Sequence, residues 1–162
     1  MLWDNQRYEQ HCYWMQYALK LAEEAGNAGE IPVGAVLVDQ EGNLLGEGNN
    51  RKERDRDPTA HAEMIAICAA AQQVADWHLN HLTLYVTLEP CPMCSGAILQ
   101  GRIGTLIYGA DDPKTGAIRS VINLPDSPAS NHRLTVMGGI LNRACRQQLQ
   151  HWFQQKRNQT SD

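Results

Sequence analysis

The sequence predicts an α/β fold in which helices cover a mixed or parallel sheet, and three observations carry that reading. Short β-branched or apolar runs alternate with amphipathic or Ala-rich stretches in the order strand, helix, strand, helix, strand. The segments between the later runs are long enough for βαβ crossovers. The chain has 162 residues, one domain's worth at about 100–200 residues per domain, and at that size it buries roughly 68–70% of its unfolded surface. A single domain over residues 1–162 is expected, with a core at about 13–153, an N-terminal extension at 1–12 and a C-terminal tail at 154–162, both ends mobile.

From Tyr13 to Ala25 the apolar residues Trp14, Tyr17, Ala18, Leu21, Ala22 and Ala25 recur at helical spacing, and Gly26 and Gly29 end the pattern. Ile31–Val38 is a β-branched run that turns at Gln40–Asn43, with Leu44–Gly48 as its hairpin partner. A polar, charged loop fills Asn49–Pro58, and a second helix spans Ala60–Ala71, opened by Pro58-Thr59. Leu82–Leu88 is a strand, Pro92 to about Gln100 a short helix, and Gly104–Tyr108 another strand. Residues 110–133 read as a long loop, of a length that is often functional in a compact domain. Leu134–Met137 is a last strand, and Ile140–Arg157 a helix with Leu141, Cys145, Leu149 and Trp152 as its buried stripe. On a second stripe of that helix stand Arg143, Arg146, Gln150, Gln154 and Arg157.

Charge and composition narrow the functions. Hydrophobic residues make up 43% and charged residues 20%, values of a globular chain rather than a disordered one. No apolar stretch approaches the roughly 20 residues of a membrane span. The first thirty residues carry Asp4, Glu9, Glu23 and Glu24 and lack an apolar h-region, so a cytoplasmic location is expected. The net charge of −4 argues by itself against nucleic acid. It is unevenly spread, however: residues 1–132 carry −8 and residues 133–162 carry +4. A basic end can mark a polyanion-binding surface, although a solvated helix face is the commoner meaning.

Five cysteines divide into the pair Cys91-Pro-Met-Cys94 and three single residues, Cys12, Cys68 and Cys145. A C-x-x-C pair is half a structural zinc site, a redox dithiol, or part of a catalytic metal site. Redox motifs of thioredoxin type follow the first strand of a βαβ unit, whereas this pair follows a later strand and is accompanied by His61-Ala-Glu63. A structural zinc wants four protein ligands. Cys68 is the nearest candidate, but it stands seven residues beyond His61 on one helix, a rise of about 10.5 Å against Zn–S bonds of about 2.3 Å. It is therefore expected to be a small core residue, as are Cys12 and Cys145. Three ligands, His61, Cys91 and Cys94, leave the open position that a catalytic zinc needs for its water.

Glu63 sharpens the reading. Positions i and i+2 of a helix point about 200° apart, so His61 and Glu63 converge only at a helix start facing a cleft. Pro92 suits the first position of the next helix and places Cys91 and Cys94 at its N-terminus, where the dipole favours thiolates. H-x-E followed by P-C-x-x-C matches the known signature of the zinc nucleobase deaminases.

On those motifs the chain closely resembles the bacterial tRNA-specific adenosine deaminases of the cytidine deaminase-like superfamily, from about Tyr13 to Phe153. The stretches that carry the resemblance are Glu30–Val38, Asp57–Glu63, Thr87–Cys94, Tyr108–Ala117 and Asn131-His-Arg133. Asp112-x-Lys-Thr-Gly-Ala117 and Asn131-His132-Arg133 narrow it to the tRNA branch. The resemblance implies a three-layer α/β/α fold around a mixed sheet of about five strands, a homodimer, and one zinc ion per chain. It also implies hydrolytic conversion of adenosine to inosine at wobble position 34 of a tRNA anticodon stem-loop. By position, His61, Cys91 and Cys94 match the zinc ligands and Glu63 the proton shuttle. Asn50, Asn131 and Asp112 match substrate-contacting residues, and the Ala62 backbone lies where the base edge is read. Lys114, Arg143, Arg146 and Arg157 are candidate RNA backbone contacts. Asp111 stands where relatives often carry a basic residue, and the chain ends Gln-rich rather than in a longer basic tail.

Two other readings stay open on the sequence. A guanine- or cytosine-type free-base or nucleoside deaminase shares the zinc signature without the strand-contacting loops. A non-enzymatic structural-zinc or redox C-x-x-C module is the other, and a redox dithiol would need no zinc. Of the remaining histidines, His78, His81, His132 and His151 are expected at the surface or in ordinary hydrogen bonds.

Overall fold

The computed structural model describes residues 4–161. In chain order the elements are α1 (Asn5–Asn27), β1 (Gly34–Val38), β2 (Leu44–Asn49), α2 (Ala62–Val74), β3 (Thr83–Leu88), α3 (Pro92–Gln100), β4 (Thr105–Ala110), β5 (Thr135–Gly138) and α4 (Asn142–Gln159). They form one five-stranded sheet in the order β2-β1-β3-β4-β5. β1 is antiparallel to both β2 and β3. β3, β4 and β5 run parallel. The sheet is therefore mixed, as expected, because a tight turn joins β1 to β2 and a helix joins β3 to β4.

Strand periodicity divides the core into two layers. Ala35, Leu37, Leu84, Val86, Leu106 and Tyr108 face one way and pack with Ala62, Ala66 and Ala70 of α2 and Ile98 of α3. Val36, Val38, Tyr85 and Ile107 face the other way and pack with Trp14, Met15, Ala18 and Leu21 of α1 and Cys145 of α4. The result is the α/β/α sandwich. Close helix–sheet contact depends on absent side chains: a Cβ on Gly34 would overlap the Ala18 carbonyl oxygen, so β1 can lie directly on α1. The β1–β2 turn is held by the Asp39 carboxylate, which accepts from the backbone N–H of Glu41 at 3.0 Å and of Asn43 at 2.8 Å, with Gly42 supplying φ +83°.

Several boundaries differ from the expectation. α1 begins at Asn5, capped by the Asp4 carboxylate, so most of the expected extension is helix; residues 1–3 lie outside the described residues. α4 runs to Gln159, through most of the expected tail; Asp162 also lies outside the described residues. Pro58-Thr59 does not open α2. It closes a turn in which Asp57 accepts from the Thr59 N–H and hydroxyl, and the helix starts at Ala62 with His61 as N-cap. Cys68, expected in the core, is exposed, because it falls on the outer face of α2 opposite Ala62, Ala66 and Ala70. Of the expected stripe on α4 only Cys145 is fully buried, while Leu141, Leu149 and Trp152 are half-buried. Trp152 sits at the layer's edge and donates its indole N–H to the Gly26 carbonyl.

Candidate metal centre and pocket

Two helix N-termini on the same face of the sheet bring the metal-binding residues together. His61 is the extended residue before α2 and Cys91 the extended residue before α3, with Pro92 at the first helical position and Cys94 in the first turn. The His61 Nδ1 lies 3.7 Å from Cys91 Sγ and 3.5 Å from Cys94 Sγ. The three donor atoms all fall within 4.8 Å of one another. Tetrahedral zinc with ordinary Zn–N and Zn–S bonds separates a nitrogen from a sulfur by about 3.6 Å. The donor set therefore fits zinc in identity and spacing, with a fourth position left to the pocket. The two thiols shift in opposite directions. A hydrogen bond from Cys94, seconded by His61, lowers the Cys91 thiol to about 4, while that same bond and burial push Cys94 up.

Glu63, in the first turn of α2, is 4% exposed. Burial pushes its carboxyl up to about 7, and the negative charge on Cys91 acts in the same direction. His61 and Glu63 share one cavity only because His61 is not yet helical (ψ 153°); regular helix geometry would have turned them apart.

The cavity, about 190 Å³, is lined by Ile31, Val33, Asn50, Lys52, His61, Ala62, Glu63, Leu88, Glu89, Cys91, Asp112 and Thr115. Of the substrate residues expected from sequence, Asn50, Ala62 and Asp112 line it. The Asn50 amide is already held by the chain, donating to the Ile31 carbonyl at 3.1 Å and accepting from the Lys52 N–H at 3.1 Å. Asp112 organises its own loop, accepting from Lys114 N–H, Thr115 N–H and the Thr115 hydroxyl. Asn131 is exposed on the loop before β5 and is not part of this lining, nor is the exposed Lys114. Arg143, Arg146 and Arg157 are exposed on α4, in the layer opposite α2 and α3. A second, larger hollow of about 380 Å³ near the end of β4 is lined by Asp111, Arg119, Ser120 and Asn142 among others, and among the described residues no metal-capable cluster lies in it.

Sequence reasoning passed over Lys52, Glu89 and Thr115 in the lining, and Glu30 behind it. The available signal was a carboxylate bordering an apolar run: Glu30 precedes Ile31-Pro32-Val33, and Glu89 follows β3. Both are buried, each 1% exposed. Glu30 accepts from the backbone N–H of Glu53 and Arg54 at 3.1 and 2.7 Å, and so holds the loop that leads to His61.

Together this fold and this donor set define a zinc-dependent deaminase, and the family model for the cytidine and deoxycytidylate deaminase zinc-binding region matches residues 8–110. The tRNA-specific adenosine deaminase of Haemophilus influenzae is 51% identical over 145 residues, covering 90% of this chain and 84% of that protein. That of Bacillus subtilis is 40% identical over 144 residues, covering 89% of each. A structure solved in work on A-to-I editing by tRNA:A34 deaminases at the wobble position of transfer RNA superposes with a TM-score of 0.81 at 39% identity, covering 84% of this chain and 98% of that one. Guanine deaminase from Nitrosomonas europaea shares the fold at TM-score 0.73 and 25% identity, covering 86% of this chain and 82% of that one. The chain belongs to the zinc-binding deaminase family, in the branch formed by the tRNA-specific adenosine deaminases.

Proposed function

We propose that this protein converts adenosine to inosine at the wobble position of a tRNA anticodon, using one zinc ion per chain. The carrying observation is a buried carboxylate, Glu63, beside a His61/Cys91/Cys94 donor set in a pocket walled by Asn50 and Asp112. Zinc bound there supplies Lewis acidity, which lowers the pKa of a bound water from 15.7 toward about 7.

The protein's own residues handle protons and position. Glu63 takes a proton from the attacking water and delivers it to N1 of the base as the water oxygen bonds to C6. It then takes the proton of the new C6 hydroxyl and relays it to the exocyclic amine, and the C6–N bond breaks to release ammonia and leave a C6 carbonyl. One carboxylate serves both steps because a carboxyl group both accepts and donates a proton, and burial raises its basicity above that of an ordinary carboxylate, a role worth about 10²–10⁴-fold. Asn50 and Asn131 are read as nucleoside contacts, the Ala62 backbone as the reader of the base edge, and Asp112 as a residue beside the RNA strand. Lys114, Arg143, Arg146 and Arg157 are read as backbone contacts. The base must leave its stack at a cost of a few kcal/mol, least in a single-stranded loop.

Incubation of the zinc-loaded protein with an anticodon stem-loop, free adenosine, guanine and cytosine tests this. Inosine in the stem-loop alone is the expected product. Turnover of guanine or cytosine without the stem-loop would give the assignment to a free-base deaminase instead. A homodimer in the cytoplasm completes the proposal. No helix among the described residues is long and apolar enough to cross a membrane, and sedimentation at twice the chain mass is the expected result.

A further inference from the structure

We infer that Glu89 is a positioning residue, acting through Ser120 and Gly116 to clamp the 111–120 loop, and with it Asp112, against the pocket. The inference rests on the adenosine deaminase reading above.

Glu89 directly follows β3, and its backbone N–H donates to the Ala110 carbonyl at 2.8 Å, so its main chain is tied to the end of β4. Its carboxylate turns toward the loop rather than the metal donors. One oxygen accepts the Ser120 hydroxyl at 2.6 Å and the other accepts the Ser120 N–H at 3.3 Å. The same carboxylate packs so closely on Gly116 that a Cβ there would overlap it, and would also meet the Asp112 carbonyl oxygen. That is the physical reason for a glycine in Lys114-Thr-Gly-Ala117.

The loop is then closed on itself: Gly116 N–H donates to the Asp112 carbonyl at 2.9 Å, and Ala117 N–H to the Pro90 carbonyl at 2.9 Å. Asp112 and Thr115, on the other side of this closure, line the pocket. Burying a carboxylate is expensive unless its lone pairs are satisfied, and bonds to a charged acceptor are about twice as strong as neutral ones. A segment with no helix or strand of its own is thereby held in one place beside the metal donors.

The test compares Ser120→Ala, Ser120→Thr and Glu89→Gln with the unaltered protein, measuring zinc content, KM and kcat on the anticodon stem-loop. Ser120 is an exposed residue, and Ser120→Ala deletes one hydroxyl while keeping the backbone N–H bond to the Glu89 carboxylate, so it perturbs the fold less than Glu89→Gln. The expected result for Ser120→Ala is one zinc per chain, KM raised about tenfold, the loss of one charge-assisted bond, and kcat nearly unchanged. Ser120→Thr, which keeps the hydroxyl donor, restores KM. An unchanged KM in Ser120→Ala, equal impairment of Ser120→Ala and Ser120→Thr, or zinc lost in step with activity would each overturn the clamp. If the unaltered, zinc-loaded protein leaves the stem-loop unmodified, it is the adenosine deaminase reading that falls.

Discussion

At the metal centre three donor atoms on two helix N-termini come within 4.8 Å of one another and a fourth residue, Glu63, is buried beside them. On α4, Arg143, Arg146 and Arg157 spread over roughly 21 Å of helix, all exposed to water. In the first region each side chain is held by backbone that the fold buries, so its chemistry depends on its neighbours. In the second the charges stand in water, where their interactions are screened within about 8–10 Å. Removing one residue should therefore abolish function in the first region and only grade it in the second.

The largest break in that contrast is His61→Ala. Zinc should fall from about one per chain to near zero, with turnover lost alongside it, as read by metal analysis and a stem-loop assay. Glu63→Ala separates holding the metal from moving protons. Zinc should stay at one per chain while kcat drops about 10²–10⁴-fold, and a variant that still turns over at the normal rate would remove the proton-shuttle role.

On the basic face, alanine at Arg143, Arg146 and Arg157 together should weaken stem-loop binding several-fold. The slope of log affinity against log salt should shrink by about 0.7 for each arginine that neutralises a phosphate. An unchanged slope would return the whole face to solvent.

A smaller effect is expected at His11. Burial, followed by the charge of Arg7, lowers its pKa below 6.5, and its ring bonds the Tyr85 hydroxyl at 2.8 Å. The folded state thus favours neutral His11. The stability this contributes is fully present above about pH 6.5 and is lost as pH falls toward the lowered folded value. His11→Gln should flatten the dependence of Tm on pH across that window, in thermal melts from pH 7.5 to pH 5. The smallest effect belongs to Cys68→Ser: at an exposed position it should change stability by no more than about 0.5 kcal/mol and leave zinc content unchanged.

The legibility of the two regions in the sequence follows the same physics. His61, Cys91 and Cys94 were readable because metal ligation demands particular residue types at particular spacings, and Glu63 drew attention by standing two residues after His61. Strand runs such as Ala35–Val38 were readable because both faces of the sheet are covered, so every residue in them is apolar. Cys68 was misread because small residues surround it on α2, and periodicity in an Ala-rich helix does not say which side meets the sheet. The start of α2 was misplaced because Pro58-Thr59 forms a turn held by Asp57, a local side-chain preference that competes with helix formation. Glu30 and Glu89 each border an apolar run, but that position does not say which distant loop the carboxylate will cap, and the Glu53, Arg54 and Ser120 amides they bind come from segments remote in the chain.

By itself the sequence determined the reaction's donor set, the alternation of strands and helices, and the membership of each apolar run in a core. Those depend on residue type and short spacing, which a chain carries in one dimension. Tertiary structure decided which carboxylates are buried, which loops they clamp, and which expected substrate residues reach the pocket. Asn50 and Asp112 line it, while Asn131 stands outside the lining. Those outcomes depend on contacts between segments some 20–30 residues apart, such as Glu89 with Ser120 and Glu30 with Arg54. Such contacts exist only once the sheet has brought the segments together.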